Sequence, residues 1–133
     1  MGAMSGGLDS GMWLQIEGEV KQTDPGLNLG YAIYTEDGVF LYGSYHQDAA
    51  EAHWPALKKG ANVLRTRLPC RLLNEGVYRI EFISRRHIRE WLCAPGKNIP
   101  QISLTIQGGL SDSPSWMTKR RGILAPVYNW RAV

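Results

Sequence analysis

Three histidines, two cysteines and a scatter of carboxylates are the residues with which this chain of 133 amino acids could do covalent or metal chemistry. Their spacing argues against it. His46, Asp48 and His53 stand near one another but lack the tight intervals of a ligand set, so no metal is expected. No Gly-x-Ser-x-Gly elbow and no Cys–His arrangement marks a nucleophile. Glycoside hydrolysis needs two opposed carboxylates at a set separation, and nothing in the pattern singles out Glu81 with Glu90 or Asp48 for that task. A phosphate loop of the form Gly-x-x-x-x-Gly-Lys-[Ser/Thr] is missing from the sequence. The expectation is a non-catalytic chain without cofactor, whose chemistry is that of binding.

The aromatic residues point the same way. Five Trp and six Tyr stand against two Phe, a skew towards rings with an apolar face and a polar tip, which suit binding surfaces. The stretch from Gly30 to His46 holds several of them around the turn Thr35-Glu36-Asp37-Gly38. If its two arms are strands, strict alternation sets Tyr34, Phe40, Tyr42 and Ser44 on one face, turned away from the core. Two basic clusters, Arg85-Arg86-His87-Ile88-Arg89 and Lys119-Arg120-Arg121, are the features suited to phosphates of nucleic acid or lipid. With a net charge of only +3 and few aromatics on those stretches, solvated loops are the simpler reading, and no nucleic-acid partner is expected.

These residues need a scaffold. The length fits one domain, and a chain of this size buries about two thirds of its unfolded surface without metal or disulfide staples. Cys70 and Cys93 match no zinc or redox spacing and are read as free thiols in a reducing compartment. No apolar run approaches the ~20 residues that span a bilayer. The opening MGAMSGG resembles a tag remnant and linker, so 1–11 are left out and 12–133 are taken as the domain. Period-2 alternation predicts strands from Leu14 to Val20, Leu29 to Tyr34, Val39 to Tyr45, Asn62 to Leu68, Val77 to Ser84 and Ile102 to Ile106. Leu14, Ile16, Leu29, Tyr31, Ile33, Leu64, Tyr78, Ile80 and Phe82 are the predicted core, with Val39, Leu41 and Gly43 also facing in. A last strand is predicted from Ile123 to Trp130, weakened by Pro126. A short helical turn is predicted near Asp48–Trp54 and a basic loop at 85–91. Outward Glu17 and Glu19 should neighbour outward Arg65 and Arg67. Short strands with frequent turns predict an all-β antiparallel sandwich.

The order of several pieces resembles a known family. A strand carrying Gly30-Tyr31-Ala32-Ile33, then Asp37-Gly38 and Leu41-Tyr42-Gly43, is followed by Leu57-Lys58-Lys59-Gly60. Next come Leu72-Leu73-Asn74-Glu75-Gly76-Val77-Tyr78-Arg79-Ile80, and at the close Arg121-Gly122-Ile123-Leu124 with Trp130. From Leu14 to Trp130 this is similar to the C-terminal domain of the ATPase subunit of O-antigen polysaccharide ABC exporters, the Wzt type. The insert from Arg85 to Lys97 has no counterpart in that pattern.

The resemblance implies an immunoglobulin-like β-sandwich that recognises the exported, lipid-linked O-antigen glycan. It implies a homodimer, attached to the exporter's ATPase domain and membrane subunit on the cytoplasmic side of a bacterial inner membrane. In such a sandwich the outer face of one sheet gathers Tyr34, Phe40, Tyr42, Ser44, Arg79 and Glu81 as the expected carbohydrate contacts, with Trp54 and Trp91 as loop rings that either rim the site or cap the core. Flat rings match the C–H faces of sugars, and polar groups match their hydroxyl edges. The alternatives are ordinary cross-strand pairs or a face covered by a partner chain. At the level of function the alternatives are a pure assembly module and a phosphate-binding domain using the basic loops. Trp116 and Trp130 are expected to pack, Trp130 on a docked or exchanged terminal strand.

Overall fold

The structure is a computed structural model that describes residues 3–8, 12–69, 71–86, 90–93, 100–107, 111–116 and 119–133. Among these, eight strands follow one another: β1 (Ala3–Leu8), β2 (Met12–Val20), β3 (Leu27–Thr35), β4 (Phe40–Tyr45), β5 (Gly60–Arg67), β6 (Gly76–Arg86), β7 (Glu90–Cys93) and β8 (Gln101–Ile106). The helical turn near residue 50 is a short 3-10 turn, Glu51–His53. Alternation explains the simplest strands. Leu14, Ile16 and Val20 of β2 are buried while Glu17 and Glu19 are exposed, and β5 alternates strictly between half-buried and exposed.

Two antiparallel sheets result, packed face to face in the immunoglobulin-like sandwich expected. One has the order β1-β2-β5. In the other, β6 is flanked on one side by β3 and then β4, and on the other by β7 and β8. Leu14 from the first sheet and Ile33, Ile80 and Phe82 from the second are almost wholly buried between them. Each such side chain contributes roughly 1.5–3 kcal/mol relative to exposure.

The C-terminal segment is held against the sandwich by one buried amide. The Asn74 side-chain nitrogen donates to the carbonyls of Arg120 and Gly122, and its oxygen accepts from the Glu75 N–H at 2.9 Å. The Asn74 N–H donates to Ile123 O at 2.8 Å, and Tyr78 Oη donates to Asn74 O at 2.6 Å. Trp116 packs half-buried against the core, with the Arg120 guanidinium carbon 4.2 Å from its ring centre.

Several expectations differ from what is observed. Residues 3–8, left outside the fold, pair with β2 from Ala3↔Glu17 to Leu8↔Met12. The stretch taken as a basic loop is strand at both ends, since β6 continues through Arg86 and Glu90–Cys93 pairs back onto it. His87 to Arg89, and Cys70, lie outside the described residues. The strand expected from Ile123 to Trp130 is absent; the segment makes one bridge, Leu73↔Leu124, and Ala125 donates to Leu72 O at 2.6 Å before Pro126, which has no N–H to continue a ladder. Trp130, expected to pack, is 95% exposed. Strands β2 and β5 do adjoin, but the register sets Gln15 opposite Arg65, Trp13 opposite Arg67 and Val63 opposite Glu17. Arg65 Nε therefore donates to Gln15 Oε1 at 2.7 Å, Gln15 in turn donates to Glu17 at 2.7 Å, and Arg67 lies over the Trp13 ring.

Candidate functional site

The β3–β4 hairpin decides which aromatic residues share a face. Its loop, Glu36-Asp37-Gly38, closes with Gly38 N–H donating to Thr35 O at 3.0 Å and Thr35 N–H donating to Val39 O at 2.9 Å. Gly38 has φ 88°, where a residue with a Cβ is strained. Tyr34 then pairs with Phe40, but Ile33 pairs with Tyr42. Leu41 is the extra residue of a β-bulge, and the bulge shifts the parity of β4 by one position. A one-residue slip exchanges the faces of every later side chain.

The expected row of six is therefore split between two surfaces. Tyr34, Phe40, Arg79 and Glu81 lie on the outer face of the five-stranded sheet, where Tyr34↔Arg79 and Ala32↔Glu81 are register partners. Tyr42 and Ser44 lie on the inner face, opposite the core residues Ile33 and Tyr31. This corrects the assignment of Tyr42 and Ser44 to the outer face. It also corrects the inward assignment of Val39 and Gly43, both of which are exposed, while Leu41 does pack against the core.

On the outer face the rings and charges are coupled. Tyr34 and Phe40 meet edge to face with centroids 5.6 Å apart. The Arg79 guanidinium carbon is 4.9 Å from the Tyr34 centroid, and Arg79 Nε donates to Glu81 Oε1 at 3.0 Å. The Glu81 side chain is only 4% exposed, so this ion pair holds a nearly buried carboxylate. Burial, and then the Glu81 charge, raise the Tyr34 pKa, which keeps the phenol a donor. Phe40 remains 57% exposed.

The bulge brings a residue to this face that alternation did not indicate. Tyr45 pairs with Gly30, which pairs with Ile83, and Arg85 lies over the Tyr45 ring with its guanidinium carbon 4.0 Å from the centroid. Between the Tyr34–Phe40 group and the Tyr45–Arg85 group run Ala32, Gly43 and Ile83. A Cβ built on Gly43 would meet the Tyr31 carbonyl oxygen at 3.6 Å, the Phe40 ring at 3.8 Å and Ile83 at 3.9 Å, all ordinary contact distances, and Gly43 itself is exposed. The outer trough is thus the strip at exposed Gly43 between two ring-plus-arginine groups, and beneath it Ala32, Glu81 and Ile83 are almost wholly buried.

The inner residues border a different space. Tyr42 and Tyr31 share a hydroxyl hydrogen bond of 2.8 Å, and burial is the main cause that raises both phenol pKa values. Beside them a cavity of about 310 Å³ opens between the sheets, lined by residues of β2, β3, β4, β5 and the 46–55 loop. Trp54 belongs to that loop, its indole N–H donating to Ala49 O at 2.7 Å, and is not paired with the outer strands in any described contact. Trp91 is the backbone partner of Arg85 on β7.

The architecture has a counterpart among solved structures. A crystal structure of the C-terminal domain of wzt superposes with a TM-score of 0.60 at 17% identity, over 92% of this chain and 70% of that one. The two share a fold. The wzt domain is accordingly the structural reference for this sandwich, as the order of motifs implied. No protein-family model matches the chain, and no curated protein matches it.

Proposed function

We propose that this chain is a non-catalytic carbohydrate-binding domain that holds polysaccharide along the outer trough. Tyr34, Phe40 and Tyr45 offer ring faces and edges to sugar C–H groups. Arg79 and Arg85 offer hydrogen bonds to hydroxyls, and the nearly buried Glu81, expected as a contact, instead holds Arg79 in place. The observation that carries this reading is the exposed Phe40 ring set edge to face against the half-buried Tyr34 ring, beside exposed Gly43 on the outer sheet face. The likeness of fold to the wzt domain supports the further reading that the chain serves an ABC exporter of O-antigen glycan. In that role it works as a homodimer with the exporter's ATPase and membrane subunits, on the cytoplasmic side of the inner membrane. It captures the glycan and presents it for transport, and no bond is made or broken.

A panel of bacterial O-polysaccharides tests the reading by calorimetry. Binding of one of them that weakens at least fivefold in Tyr34→Ala and Phe40→Ala is the expected result. Binding that neither substitution changes would overturn the site, and absence of binding across the panel would count against the function.

A second reading, an assembly module, draws on the C-terminal segment, where Tyr128 is 74% and Trp130 95% exposed. Such rings suit a partner chain. Sizing the protein while titrating glycan separates the two, because an assembly module dimerises without responding to sugar. Phosphate binding through the basic clusters draws less support, since Arg85 lies on Tyr45, Arg86 pairs with Asp24 at 3.1 Å and Arg120 lies on Trp116.

A further inference from the structure

The cavity between the sheets is built differently from the trough. Its floor is aliphatic, from Leu14, Leu29 and Leu64. Its rim is polar: Ser44 and Thr66, on inner-face positions of β4 and β5, and His46 and Asp48 from the loop that follows β4. At about 310 Å³ it sits at the small end of ligand pockets, which run from roughly 300 to 1,000 Å³.

The rim has hydrogen-bonding capacity to spare. Leu29 N–H donates to His46 Nδ1 at 3.0 Å, closer than the 3.3 Å from that nitrogen to Leu29 O. His46 Nδ1 is therefore the acceptor, and the ring proton resides on Nε2, where it can donate. Asp48 accepts from the Tyr45 N–H through Oδ2, leaving Oδ1 to accept. The charge at the rim is that of Asp48. Arg65 borders the cavity, but its side chain is turned to Gln15 on the opposite face of its sheet. An anionic ligand meets a carboxylate here and no inward cation among the described residues.

We propose that this inter-sheet cavity is a second binding site, and that it takes a single neutral pyranose ring. An aliphatic floor under one ring face, with hydroxyl, imidazole N–H and carboxylate groups at the edge, matches the two chemistries of a sugar. The site is distinct from the Tyr34–Phe40 ring pair, because Ser44 and Phe40 project from opposite faces of β4, although Tyr45 borders both spaces. It does not depend on polysaccharide binding there.

Neutral methyl pyranosides of glucose, mannose, galactose and N-acetylglucosamine, titrated to tens of millimolar and followed by amide and histidine-ring NMR shifts, test this. Millimolar affinity is expected for one of them, the scale for a ligand of about a dozen heavy atoms at modest efficiency. The perturbed residues should be Ser44, His46 and Thr66. Ala49→Trp, which fills the mouth from an exposed loop, should abolish the shifts, and Ser44→Ala should weaken binding several-fold. Phe40→Ala should leave the affinity unchanged, which distinguishes this site from the trough. Absence of saturable shifts at those residues, shifts confined to Tyr34 and Phe40, or tighter binding of a glucuronate than of the neutral sugars would each overturn the proposal.

Discussion

Phe40 and Tyr42 stand two residues apart on one strand and face opposite sides of the same sheet. Phe40 meets Tyr34 on the outside at 5.6 Å, and Tyr42 meets Tyr31 on the inside at 5.7 Å, with Leu41 bulged between them. The bulge separates a row of rings that strict alternation would have kept on one surface, and it gives the outer face Tyr45 in exchange for Tyr42.

Two substitutions should therefore have opposite profiles. Tyr42→Phe removes the 2.8 Å hydroxyl contact with Tyr31 and should lower stability by about 0.5–1.5 kcal/mol while leaving polysaccharide affinity intact. Phe40→Ala removes a ring that is 57% exposed, so it should change stability little and weaken polysaccharide binding at least fivefold. Denaturant titration and calorimetry on both proteins check this. The reverse pattern would mean that the faces are misassigned.

Much of the fold was legible because burial imposes period 2. Leu14, Ile16, Tyr31, Ile33, Tyr78, Ile80 and Phe82 are buried as alternation predicts. The bulge was not legible, because Leu41 is as good a strand residue as its neighbours and only the competing registers of Tyr34 with Phe40 and Ile33 with Tyr42 create it. The site was half legible for that reason: Tyr34, Phe40, Arg79 and Glu81 precede the shift or lie on another strand, while Tyr42 and Ser44 follow it. Arg85 and Tyr45 were hidden for a second reason. Arg85 belongs to a run of basic residues whose composition suggests a loop, and its contact with Tyr45 depends on β6 extending through Arg86. The terminal strand failed because exposed Tyr128 and Trp130 have β-forming types without a partner strand among the described residues.

The two glycines of the hairpin strands, both on the outer face, should respond differently to substitution. A Cβ on Gly30 would lie 2.0 Å from the Ser44 carbonyl oxygen, a clash with backbone, so Gly30→Ala should cost about 1–3 kcal/mol or unfold the domain. A Cβ on Gly43 finds its closest atoms at 3.6 Å, so Gly43→Val should fold. It should nonetheless lose polysaccharide binding, since its branches project into the trough. Thermal melts and binding assays of the two variants give the comparison.

Asn74 should be among the most sensitive polar positions. It is 1% exposed, and its amide nitrogen serves two carbonyls of the C-terminal segment. Asn74→Asp turns a donor into an acceptor aimed at those carbonyls and should destabilise by more than about 2 kcal/mol, exceeding Asn74→Ala. Equal losses in the two variants, measured by urea unfolding, would mean that the amide donor matters less than the shape.

His46 should make stability depend on pH in mildly acid solution. Burial lowers its pKa in the folded state, opposed in part by the Leu29 carbonyl and Asp48. The unfolded chain therefore takes up a proton first, near pH ~6.5. The stabilisation tied to neutral His46 is fully present above that pH and is lost as pH falls towards the lower folded value. Denaturation midpoints between pH 7.5 and 5 should fall less in His46→Asn than in the parent protein; identical slopes would refute the assignment.

The most direct test is NMR mapping of the polysaccharide that the calorimetric panel identifies, titrated against the isotope-labelled domain. Perturbations should concentrate on Tyr34, Phe40, Gly43, Tyr45, Arg79 and Arg85, the residues of the outer trough on the five-stranded sheet. Perturbations confined to Trp13, Gln15, Glu17 and Arg65 on the opposite sheet, with those six unchanged, would contradict it.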